Sequence, residues 1–83
     1  MKANSNVDVV VDASGLSCPL PILRTYQALL NLSAGKIIKV IATDPTSQQD
    51  FPVFAKQTGC CLIAQQVESQ TYIYYLQVGH RHA

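Results

Sequence analysis

The sequence predicts a two-layer α/β sandwich in the order β-α-β-α-β-β, with a four-stranded mixed sheet, both helices on one face and the other face open. Three observations lead there. The β-branched run Val7-Asp8-Val9-Val10-Val11 and the run from Lys36 to Thr43 each precede a stretch whose apolar residues recur at helical spacing. Two further runs, Cys61 to Val67 and Thr71 to Val78, are separated only by Glu68-Ser69-Gln70, which suits a hairpin. A strand–helix–strand start implies a right-handed crossover and a parallel pair, and two helices cover only one face of four strands.

The elements follow from local chemistry. Asp12 to Ser17 reads as a loop, and the first helix should start at Pro19 with Cys18 near its N-cap, because proline has no N–H to leave unpaired there. Ile22, Leu23, Tyr26, Leu29 and Leu30 then form one apolar stripe, and Gly35 ends the segment. Asp44-Pro45 signals a turn. Ser47 followed by Asp50 resembles a capping box, with Asp in the place of Glu or Gln. Phe51, Phe54, Ala55 and Thr58 carry a second stripe to Gly59, with Pro52 expected in or near the first turn. In the last strand Tyr72, Tyr74, Leu76 and Val78 share one face and Tyr75 points opposite. Gly79 to Ala83 reads as a frayed tail. With no repeat or linker, residues 1–83 are expected to form one domain with its core over about 7–78.

Composition excludes several classes. The chain is 48% hydrophobic and 13% charged, the reverse of a disordered segment. Its formal net charge of +1 supplies no basic field, so direct nucleic-acid binding is not expected. No apolar run approaches the roughly 20 residues that cross a bilayer. The polar start Met1 to Asn6 lacks the apolar stretch of a signal peptide, so no membrane association and a cytoplasmic location are expected. There are three cysteines, an odd number that suits reactive or core thiols in a reducing compartment better than a disulfide framework.

Cys18 is the candidate working thiol. It follows the first strand, where α/β proteins often place function, and it sits at a helix N-terminus. The helix dipole and free N–H groups there would lower its pKa and favour thiolate. Pro19 and Pro21 stiffen the helix entry. The plain alternative is an unreactive cap or core cysteine. The adjacent Cys60 and Cys61 should point to opposite faces, one into the core, with a resolving thiol as the functional alternative. A zinc site from Cys60, Cys61, His80 and His82 fits no usual spacing, so no metal is expected, and no cofactor motif is present. Asp12, Asp44 and Asp50 suit turn and first-turn hydrogen bonds, with tuning of the thiol as the alternative.

The pattern Asp12-x-x-Gly15-x-x-Cys18-Pro19-x-Pro21, an apolar helix, Gly35, a strand into Asp44-Pro45, then Asp50 and Gly59 resembles the TusA/SirA family from about Val7 to Val78. The resemblance implies a compact α/β sandwich and a persulfide relay on Cys18, with Gly15, Pro19 and Pro21 supporting it. It implies a cysteine desulfurase or rhodanese-like donor and a downstream acceptor protein, serving tRNA thiolation, cofactor biosynthesis or sulfur oxidation. A regulatory or selenium-linked module of the same fold is the alternative. Such a chain is a covalent carrier more than a stand-alone enzyme. Docking is expected at the rim of Gly15, Leu16 and Leu20, with Arg24 on the exposed side of the helix. The sequence departs from the family pattern at Tyr26, Gln27 and Gln49, where many members are basic, which bears on partner choice.

Overall fold

Alternation of side chains along the strands selects the buried face of the sheet. In the computed structural model, which describes residues 7–79, the elements are β1 (Val9–Ala13), α1 (Leu20–Leu29), β2 (Ile37–Ala42), α2 (Ser47–Thr58), β3 (Cys61–Glu68) and β4 (Thr71–Gln77). Ile38, Val40 and Ala42 of β2 are buried, as are Tyr74 and Leu76 of β4 and the following Val78. Leu29 of α1 and Phe51, Phe54 and Ala55 of α2 join them in one core, so both helices lie on the same face. On the other face Lys39 lies over the Tyr75 ring, its Nζ 5.9 Å from the centroid.

The strand order is β1-β2-β4-β3. β1 runs parallel to β2 from Val9↔Ile38 to Ala13↔Ala42, while β4 is antiparallel to both β2 and β3. The β3–β4 hairpin turns through Ser69 and Gln70, at φ 44° and 43°, the left-handed pair that a two-residue hairpin turn needs. Among the described residues, no helix is long and apolar enough to cross a membrane.

The first helix departs from its expected limits and face. It begins at Leu20, with Pro19 at the N-cap, and ends at Leu29 with Leu30 at the C-cap. Gly35 instead shapes the turn into β2 at φ 93°, its N–H donating to the Val78 carbonyl at 2.7 Å. The buried side chains of α1 are Pro21, Thr25 and Leu29, with Ile22 packed partly against the core. Leu23, Tyr26 and Leu30, expected in the stripe, are exposed at 49%, 44% and 52%. Between Leu20 and Leu30 only Arg24, Thr25 and Gln27 are polar, so periodicity alone could not choose a face. Thr25 is tolerated inside because its hydroxyl donates to the Pro21 carbonyl at 2.8 Å.

The second helix also differs at its start. Thr46 is the N-cap, with no side-chain cap bond, so the Ser47–Asp50 capping box does not form. The buried Ser47 hydroxyl instead pairs with the Tyr74 hydroxyl at 2.7 Å. Phe51 stacks on Tyr74 at 4.6 Å between centroids, and Phe54 meets Phe51 edge-on at 6.0 Å. Pro52 lies in the second turn rather than the first, exposed, where it withholds a donor from the Gln48 carbonyl. Gly59 ends the helix in the left-handed conformation, as expected. A side chain at Gly79 would run into the Gly59 carbonyl, so the two chain segments meet backbone to backbone.

Tyr74→Phe should leave the buried Ser47 hydroxyl unpaired and cost about 1–3 kcal/mol in urea unfolding. The double change Ser47→Ala/Tyr74→Phe should cost less than the sum of the two single changes. Strict additivity would show that the pair is not coupled.

Candidate functional site

Parallel pairing through Ala13↔Ala42 brings the loops that follow β1 and β2 to the same end of the sheet. Each is shaped first by its own aspartate. Asp12 Oδ1 accepts from the Ser14 N–H at 3.1 Å and from its hydroxyl at 2.7 Å. Asp44 Oδ1 accepts from the Thr46 N–H at 3.1 Å. Two further bonds then join the loops. The Gly15 N–H donates to Thr43 Oγ1 at 2.9 Å, and the Cys18 N–H donates to Asp44 Oδ2 at 2.6 Å. Gly15 has φ 80°, a left-handed conformation that glycine adopts without strain. The Cys18–Pro19 peptide bond is cis.

The Cys18 side chain is exposed, one residue outside the N-cap of α1. The helix end offers it few donors. Pro19 and Pro21 have no N–H, and that of Leu20 is committed to the Ser17 carbonyl at 2.9 Å. The loop before α2 and its first turn supply negative charge instead. The Asp50 carboxylate, as acceptor for the thiol, raises the Cys18 pKa above its ordinary value; partial desolvation and the charges of Asp50 and Asp44 push the same way, against a smaller opposing effect of the Thr46 hydroxyl. The expected lowering of this pKa is thus reversed. The helix-dipole argument counted the helix start but not the carboxylates folded against it.

The remaining residues fall into two groups. Gly15, Leu16, Cys18, Pro19 and Leu20 form one continuous stretch at this end of the molecule; Leu16 is half-buried, while Gly15, Pro19 and Leu20 are exposed and Pro21 is buried. Arg24 is exposed further along α1. Thr43, Asp44, Thr46 and Asp50 complete the surroundings of Cys18 through bonds and charges that span 26 residues or more of sequence. Asp44 was legible as a turn residue, but its hold on Cys18 was not. Leu23, Tyr26 and Leu30 add an exposed apolar strip to the outer side of α1. Cys60 is buried and Cys61 exposed opposite Gln77, as their adjacency required. His80 and His82 lie outside the described residues.

Comparison with known proteins agrees with this architecture. The profile of the TusA family, described as sulfurtransferase TusA, matches residues 9–78. A protein named sulfur carrier protein TusA from Pseudomonas putida strain GB-1 is 43% identical over 70 residues, covering 84% of this chain and 88% of its own. One so named from Pseudomonas aeruginosa strain LESB58 is 40% identical over 72 residues, covering 87% and 91%. The crystal structure of a SirA-like protein from Desulfitobacterium hafniense shares the fold, with a TM-score of 0.77 at 24% identity over 88% of this chain and all of that one.

The bridge through Asp44 has a pH signature. The Thr46 N–H, then the Cys18 N–H, hold the Asp44 carboxyl below its ordinary value of 3.8. Because the folded value is the lower one, the bridge contributes stability above 3.8 that is lost as pH falls through the folded value. The Cys18 and Thr46 amide proton shifts should therefore titrate together below pH 3.8. Independent midpoints would separate the two loops. For the thiol, the alkylation rate of Cys18 in a Cys60→Ser/Cys61→Ser background should reach its half-maximum above the pH found for a free cysteine peptide; a lower midpoint would restore the helix-dipole account.

Proposed function

Since this chain belongs to the TusA sulfurtransferase family, we propose that residues 1–83 act as one sulfur carrier domain in which Cys18 accepts sulfur as a persulfide from a donor protein and relays it to an acceptor protein. The observation that carries this reading is the exposed Cys18 sulfur at the loop-to-helix junction of a Cys-Pro-x-Pro run. The Cys18 thiolate attacks the outer sulfur of a donor persulfide, R–S–SH. A new S–S bond forms to Cys18, the donor S–S bond breaks, and the donor sulfur leaves as a thiolate that takes up the proton. An acceptor thiolate repeats the exchange on the Cys18 persulfide. No electron is gained or lost overall.

Such an exchange needs access and a docking surface more than a closed pocket. Leu20, Leu23, Tyr26 and Leu30 give the outer side of α1 apolar area beside the thiol, and Arg24 adds a charge to it. Gly15 and Leu16 would join Leu20 in the docking rim. A cysteine desulfurase or rhodanese-like protein suits the donor, and a protein thiol in tRNA thiolation, cofactor biosynthesis or sulfur oxidation suits the acceptor. The cytoplasm, where thiols stay reduced, suits such a relay.

Cys18→Ser should fold with a stability change under about 1 kcal/mol, as expected at an exposed position. It should gain no labile sulfur mass after incubation with a desulfurase and cysteine. A retained increment would move the carrier role to Cys60 or Cys61. Arg24→Glu and Leu23→Asp should each slow transfer from the desulfurase while leaving the unfolding midpoint in place; unchanged transfer in both would remove α1 as the docking face.

A further inference from the structure

We propose that β3, one edge of the sheet, pairs antiparallel with β3 of a second copy of this chain, giving a two-fold dimer built on one continuous sheet. This does not depend on what Cys18 does. The two edges of the sheet differ. β1 has five residues and contains Asp12, with Asp8 just before it. Short length and charge are the usual guards of a sheet edge. β3 has eight residues, none of them lysine, arginine or proline, and all but Leu62 are exposed. Among the described residues, no backbone group of a loop or helix bonds to β3. A bulge between Leu62 and Ala64 disturbs the start of the strand, while Ala64 to Glu68 pair with β4 in regular register.

The turn at Ser69 and Gln70 decides which backbone groups are free. Glu68↔Thr71 closes that two-residue turn and is a hydrogen-bonded pair. Such pairs alternate along an antiparallel ladder, so Gln66 also bonds to β4, while Gln65 and Val67 turn their N–H and C=O groups outward. Two copies related by a two-fold axis at Gln66 set Gln65 of each opposite Val67 of the other, and the outward groups satisfy one another. In this register Gln66 faces the second copy's Gln66, and an amide side chain, holding both donor and acceptor, can pair with its own kind. Glu68, the only charge on the strand, falls opposite the second copy's Ala64, so no like charges meet. Pairing of β3 with β1 of another copy brings Glu68 toward a strand that already carries aspartates, and it propagates without closing. The two-fold arrangement keeps all helices on one side of the sheet. It also leaves both Cys18 loops free, because Cys18 follows β1 at the far edge. The contact is smaller than the roughly 20–30 residues a side of a stable complex, so the dimer is reversible, with a dissociation constant on the order of 100 µM.

Sedimentation of the intact chain in reducing buffer, from about 1 µM to about 1 mM, tests this directly. A monomer–dimer equilibrium is expected; a monomer throughout that range overturns the proposal. Gln66→Glu sets two carboxylates face to face across the axis and should weaken the dimer about fivefold, and Gln66→Lys should do the same with two ammonium groups. An equimolar mixture of the two variants should associate more tightly than either alone, since each axis then carries one charge of each sign. A mixture no tighter than its components, or a dimer indifferent to both changes, refutes pairing at this register. Amide hydrogen exchange of the unaltered chain supplies a second reading that needs no variant to fold. The Gln65 and Val67 amides should slow as concentration rises, while those of β1 keep their rates. Protection appearing on β1 or α1 with Gln65 and Val67 unchanged places the contact elsewhere and sinks the β3 edge as the interface.

Discussion

Because β1 and β2 run parallel and in register through Ala13↔Ala42, the chain leaves both strands at the same end of the sheet. Every feature of the site follows from that arrangement. An antiparallel pair would have put the Cys18 loop and the Asp44 loop at opposite ends, and neither the Cys18–Asp44 bond nor the Gly15–Thr43 bond could form. Parallel neighbours require a crossover, here α1, and Cys18 lies where that crossover begins. The cysteine is thus presented by the connection that makes the parallel pair possible.

The two prolines of the Cys-Pro-x-Pro run act in opposite senses. They stiffen the entry to α1, and they remove two of the N–H groups that a helix start would offer an anion. The loop from β2 adds Asp44, and the first turn of α2 adds Asp50. The result is an exposed cysteine whose surroundings favour the neutral form. A neutral thiol is the less reactive form, since the thiolate is the nucleophile that attacks disulfides and electrophiles.

The position of Asp50 depends in turn on the core. α2 is held to the sheet by the Phe51–Tyr74 stack and by the Ser47–Tyr74 hydrogen bond, both on the turns that carry Asp50. Packing chemistry and site chemistry therefore meet in adjacent residues of one helix. α1 divides differently: its inner side is Pro21, Thr25 and Leu29, while Leu20, Leu23, Tyr26 and Leu30 remain in solvent. That much exposed apolar area on one short helix, next to an exposed cysteine, is the surface expected of a molecule that works by contact with other proteins.

The element order, the parallel start, the closing hairpin, the opposed cysteines and the Gly59 helix end were all legible in the sequence, because each rests on local spacing or on a residue with a narrow conformational repertoire. Cys18 stood out for the same reason, between a loop glycine and two prolines. The buried face of α1 was not legible, since apolar side chains surround most of that helix and only packing against the sheet selects among them. Nor was the role of Ser47, whose capping pattern is local but whose partner, Tyr74, is 27 residues away. The protonation of Cys18 was the deepest of these differences. A helix start can be read from the sequence, but Asp44 meets the Cys18 N–H only when β2 docks beside β1, and a charge's effect on the thiol depends on distance in space, which sequence separation does not give.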